Sequence, residues 1–161
     1  MRIRGLVPAV LLAVPLAAGP ATPQSPEGFV LRRPGDIRFS GPPTDPARGA
    51  VYAAGIPQVA VLYGNPREAG LYVVQVRLPR NYRSEAHTHP EEVRTVIVLS
   101  GTLYFGFGDA WDEARLQAFP PGTFFNEPRT APHFAGTRDE EVLMMVTGIG
   151  PTGVIPAGSS R

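Results

Sequence analysis

The sequence predicts an all-β, single-domain fold, and three observations carry that expectation. A length of 161 residues suits one domain. The 18 Gly and 19 Pro residues interrupt long helices and punctuate turns. Beyond Ala50 the chain divides into about eight or nine short β-type runs, with turn residues every 8–12 positions or so. That rhythm is the one of a sandwich or barrel. Hydrophobic residues make up 43%, enough to bury a core.

Taken in order, the first element is a leader. Arg2 and Arg4 precede an apolar run from Leu6 to Ala18, and small residues follow. This is the layout of a secretory signal peptide over residues 1–21, so a periplasmic or secreted protein is expected. The run is shorter than the ~20 residues of a spanning helix, so no membrane association is expected after its removal. Loss of the two arginines would take the formal charge of +1 to about −1. Residues 22–50 form a Pro/Gly-rich arm. Within it, Phe29–Arg32 and Asp36–Phe39 are candidate strands split by Pro34-Gly35.

Residues 51–161 are expected to form the barrel. "PQVAVLYG" is a strand candidate, and "GLYVVQVRLP" alternates cleanly. There Tyr72, Val74, Val76 and Leu78 share one face, while Val73, Gln75 and Arg77 share the other. "RTVIVLSG" and "TLYFGFG" read as a hairpin about Ser100-Gly101. "DAWDEARL" has room for one helical turn. "LQAFPPG", "TFFNEP", "HFAGT" and "EVLMMVTG" complete the set of strands.

Composition excludes several chemistries. All 15 basic residues are Arg, so there is no lysine for a Schiff base or a P-loop. Without Cys there is no thiol catalysis, disulfide or thiolate metal site. The near-zero charge offers no electrostatic case for nucleic acid. Any metal must be held by His, Asp or Glu.

The three histidines of the chain suggest such a site. His87 and His89 lie one residue apart, and strand alternation puts both on one face. His133 begins a second strand after a Pro-marked turn. Around them, Asn81, five residues, His87-x-His89, four residues, Arg94, six residues and Gly101 form one motif. Gly122, five residues, Pro128-x-Thr130, two residues, His133, three residues and Thr137 form a second. In this order and spacing the chain resembles the cupin family, over roughly Pro34 to Pro156, and specifically small bacterial single-domain cupins of type-2-like pattern. Asn81 stands where that family has Gly, and Asn tolerates positive φ. Thr130 and Thr137 are further departures.

The resemblance implies a double-stranded β-helix, or jelly-roll barrel, with His87, His89 and His133 around a divalent ion such as Fe, Mn, Ni or Zn. It also implies dioxygenase or isomerase chemistry on a small organic molecule, and a homodimer formed through N-terminal strands. The family's acidic ligand, however, falls at Arg94, and a guanidinium can only donate. Three completions stay open. Glu91 or Glu92, with Glu92 the one selected, fills the shell through a bulge. Water completes a three-histidine site. Or the metal is lost and the cavity only binds. Arg94 is the candidate anchor for a substrate carboxylate or enolate, and Glu127 the candidate general base. A non-catalytic binding or sensing protein of the same fold is the alternative function.

Overall fold

The computed structural model describes residues 26–40, 52–54 and 56–158. The leader expected over residues 1–21 lies outside these residues, as do 22–25 and 41–50 of the arm and 51, 55 and 159–161 of the barrel segment. Among the described residues no helix is long and apolar enough to cross a membrane.

The strands are β1 (Tyr52–Ala54), β2 (Gln58–Tyr63), β3 (Gly70–Leu78), β4 (Arg83–Ser84), β5 (His87–Thr88) and β6 (Arg94–Ser100). They continue as β7 (Leu103–Phe107), β8 (Gln117–Phe119), β9 (Phe124–Asn126), β10 (His133–Gly136), β11 (Val142–Gly150) and β12 (Ile155–Pro156). Two antiparallel sheets result. One is five-stranded, in the order β2-β3-β11-β6-β9. The other is seven-stranded: β1-β4-β10-β5-β12, with β7 beside β10 and β8 beside β7.

The alternation read in "GLYVVQVRLP" holds. Tyr72, Val74 and Leu78 are buried, while Val73, Gln75 and Arg77 are half-exposed. With Val96, Val98, Val142 and Val146 they form the inner face of the five-stranded sheet. Leu103 and Phe105 meet them from β7 of the other sheet. Each such side chain stabilises the sandwich by about 1.5–3 kcal/mol relative to exposure. Phe134 points to the far side of β10, where Trp111 covers it with ring centroids 5.4 Å apart. The one-turn helix expected in "DAWDEARL" is a 3-10 turn at Glu113–Arg115, capped by the Asp112 carboxylate, which accepts from the Ala114 N–H.

Two local expectations are corrected. β6 and β7 are not a hairpin: β6 pairs with β11 and β9, while β7 pairs with β10 and β8. The turn at Gly101, with φ +72°, therefore carries the chain from one sheet to the other. A Cβ there would stand 2.3 Å from the Glu141 carbonyl oxygen. The arm is not two strands either. Pro34–Asp36 is a 3-10 turn, closed by the Asp36 carboxylate accepting from the Arg33 N–H at 3.0 Å. Proline lacks the donor that a ladder would need. Outside the named strands, the arm touches the sheet through one bridge, Ser40 to Val59. Ile37 and Phe39 are half-buried, and the Arg77 guanidinium lies 3.9 Å from the Phe39 ring centre. Asn81 has φ +56°, the conformation its motif position asks for.

Candidate metal centre

The seven-stranded sheet supplies the histidines. His87 of β5 and His133 of β10 are direct cross-strand partners, which brings their side chains together on one face. His89 lies two residues along from His87, on the same side. All three are buried. Their ring centroids stand 4.7 to 5.2 Å apart, and one ligand nitrogen from each lies within 4.8 Å of the others. Phe105 stacks on His133 with centroids 5.1 Å apart and forms an apolar floor.

Each imidazole is steered by the main chain. Nδ1 of His87 meets the Glu85 carbonyl at 2.7 Å, Nδ1 of His89 the Gly153 carbonyl at 2.7 Å, and Nδ1 of His133 the Ala131 carbonyl at 3.1 Å. A carbonyl only accepts, so Nδ1 carries the proton and Nε2 keeps its lone pair. Burial holds His87 neutral, with its pKa lowered to about 4, and lowers His89 and His133 as well. Nε2 of His133 is buried with no hydrogen-bond partner. Three neutral donors facing one another, each oriented through its other nitrogen, fit a divalent first-row ion.

The five-stranded sheet supplies charge. Arg94 opens β6 and points inward. Its Nε donates to Glu127 Oε2. Its Nη1 donates to the Tyr72 hydroxyl at 2.7 Å, to Glu91 Oε1 at 3.2 Å and to Thr152 Oγ1 at 3.3 Å. The Tyr72 hydroxyl in turn donates to Glu91 Oε1 at 2.6 Å. Gly148 is the registered partner of both Tyr72 and Arg94. A Cβ on it would lie 2.6 Å from the Tyr72 oxygen, so this glycine leaves room for the phenol. Burial alone would raise the Glu127 pKa, but the adjacent guanidinium outweighs it and holds the carboxyl at about 2. Burial likewise opposes the Arg94 charge, yet Glu127, Tyr72 and Glu91 together raise its pKa above the ordinary value. Burial first, then the bond to Glu91, raises the Tyr72 phenol.

His87, His89, His133, Arg94 and Glu127 thus come together. Glu92 does not: its side chain is 79% exposed and pairs with Arg129, away from the histidines. The turn after Pro90 aims Glu91 inward and Glu92 outward. Glu91 is 2% exposed, but it serves Tyr72 and Arg94. Arg94 has its Nε and Nη1 bonded to protein acceptors, so only its Nη2 protons are left for a substrate oxygen. Tyr72, Thr152 and Gly148 were not singled out from sequence. The available signal was a phenol on a core-facing strand position, since a buried hydroxyl seeks a partner.

Two antiparallel sheets with a histidine cluster between them define the class: the chain has the cupin fold, and its three buried histidines can hold a metal ion. A germin-like protein, subfamily 3 member 3 of Arabidopsis thaliana, is 27% identical over 123 residues, which cover 73% of this chain and 58% of that protein. The chain therefore spans less than two thirds of the length of that relative. The polyketide cyclase RemF from Streptomyces resistomycificus matches with a TM-score of 0.61 and 16% identity, covering 83% of this chain and 88% of the cyclase. A cupin-2 domain from Rhodospirillum rubrum matches with a TM-score of 0.52 and 17% identity, covering 78% of this chain and 77% of that one. No family model matches the chain.

Proposed function

We propose that this is an exported, metal-dependent cupin-fold protein that acts on a small organic molecule at the His87–His89–His133 centre. The observation that carries the reading is the common wiring of the three imidazoles. Each Nδ1 is tied to a main-chain carbonyl, and each Nε2 is left as a donor to a shared point. A divalent ion there supplies Lewis acidity toward a carbonyl or enolate oxygen, or dioxygen chemistry if it is iron. The protein's own residues set the surroundings. Arg94 is outnumbered by Glu91 and Glu127, so the local charge is −1 and a divalent ion would make it +1. A net positive centre would then favour an anionic oxygen on the substrate. The cyclase among the structural neighbours supports a small organic substrate. The leader-like residues 1–21 support export.

Metal analysis of the purified protein tests this. About one equivalent of a divalent metal is expected in the wild type, and a large loss in His87→Ala. A metal-free wild type that takes up none of Fe, Mn, Ni or Zn on titration would sink the reading. Tight binding of a small organic molecule without turnover would select the binding or sensing alternative.

We also propose a homodimer. Leu71, Ile97, Leu99, Phe124 and Ile149 lie on the outer face of the five-stranded sheet and are 37–64% exposed. Val30 of the arm lines a groove of about 370 Å³ with Leu62, Tyr63, Leu71 and Val73, next to that face. An apolar sheet face of this kind supports the pairing.

A further inference from the structure

The histidine cluster faces a carboxylate that no motif position supplies. Glu127 follows the last residue of β9, and its N–H donates to the Arg94 carbonyl at 3.0 Å. That bond fixes its backbone beside β6. Its Oε2 lies 3.6 Å from His89 Nε2, and its Oε1 lies 3.8 Å from His133 Nε2. Both separations are shorter than the 4.8 Å that spans the histidine donors themselves. Two ligands at about 2.0–2.2 Å from one ion stand only ~3 Å apart, so small side-chain motions separate this arrangement from a coordination shell.

The electrostatics of the contact are more telling. With each Nδ1–H given to a carbonyl, both Nε2 atoms present lone pairs. The carboxylate also presents lone pairs. Acceptors facing acceptors in a buried pocket repel, and a cation between them turns that repulsion into attraction. Arg94 cannot be that cation. Its Nε donates to Oε2, the oxygen that also faces His89, and its Nη1 reaches Tyr72 and Glu91; it makes no hydrogen bond to a histidine, and Oε1, toward His133, takes none from it. Glu91 is a weaker candidate: its Oε2 is buried without a hydrogen-bond partner, but among the described residues the carboxylate that comes within 4.0 Å of a histidine nitrogen is that of Glu127.

We propose that Glu127 is the fourth protein ligand of the centre and that Arg94 is the residue that positions it. The carboxylate that the motif lacks at residue 94 is delivered from the adjacent strand, and the arginine in its place holds it by a charge-assisted bond. This rests on the histidine centre proposed above. It replaces the role of general base for Glu127, since a carboxylate bound to the ion is no longer free to accept a proton.

Three variants test it: Glu127→Gln, Arg94→Met, and the double variant. Gln keeps the shape and an acceptor for Arg94. The double variant removes the ion pair as a unit, so no buried charge is left alone. Zn²⁺ affinity is measured by competition with a chromogenic chelator, and the visible spectrum of the Co²⁺-loaded proteins is recorded. Thermal melts by circular dichroism establish folding. Glu127→Gln is expected to weaken Zn²⁺ binding by at least about tenfold and to change the Co²⁺ bands. The double variant is expected to lose at least as much, while Arg94→Met alone loses less. Wild-type Zn²⁺ affinity in Glu127→Gln would overturn the assignment with the histidine centre intact. Wild-type affinity in the double variant would do so too, because Glu127 would then serve only to neutralise Arg94. A wild type that binds no Zn²⁺ or Co²⁺ would remove the histidine centre itself.

Discussion

A neutral, buried imidazole ties the folded chain to pH. His87 has an ordinary pKa of 6.5 and a folded value of about 4. Between those values the unfolded chain binds more protons, so stability is full above pH 6.5 and falls as the pH drops toward 4. The difference is on the order of 3 kcal/mol for this one group. Glu127, lowered from 4.5 to about 2, adds a second loss in the same direction below pH 4.5. Urea midpoints of the metal-free protein, taken from pH 7.5 to 4, are expected to decline steadily. A flat profile would mean that His87 is not held neutral. At this scale the histidines were legible, because an H-x-H pair ahead of a strand has a local geometry. Glu127 was legible as an acid near the site, but its grip on Arg94 was not. That contact spans 33 residues and depends on β9 lying beside β6.

Between elements, one row across the five-stranded sheet organises the charged wall. Tyr72, Gly148 and Arg94 are in register on β3, β11 and β6, and the missing side chain in the middle lets the outer two meet. Gly148→Ala places a methyl 2.6 Å from the Tyr72 oxygen. It is expected to displace the phenol and cost about 1–3 kcal/mol, read as a lower urea midpoint at unchanged m-value. A wild-type midpoint would show that the row yields freely. Strand identity was readable from alternation in β3 and from the apolar runs of β6, β7 and β11. Strand partnership was not. Adjacency in sequence suggested a β6–β7 hairpin, whereas the turn at Gly101 sends these two strands to opposite sheets. The arm failed for a different reason: its apolar residues promised strands, and Pro34-Gly35 closed a turn instead.

For the whole molecule, the apolar outer face of the five-stranded sheet sets the expected assembly. Sedimentation equilibrium should give twice the mass of one chain, and Phe124→Glu, at a position 64% exposed, should shift it toward one. A monomeric wild type at tens of micromolar would remove the pairing. The jelly-roll class was legible because turn spacing and two histidine motifs agreed. The split of labour between the sheets was not, since it arises only when the layers face each other. One consequence concerns the three carbonyls of Glu85, Ala131 and Gly153. They fix how the imidazoles are turned before any ion arrives, so the rotational freedom that a loose chelator surrenders on capture is already gone. Capture should therefore be quick and leave the backbone where it was. The vulnerable points of the centre then extend to peptide groups in three loops: a distortion near Gly153 would swing His89 out of line while every ligating side chain remained in place.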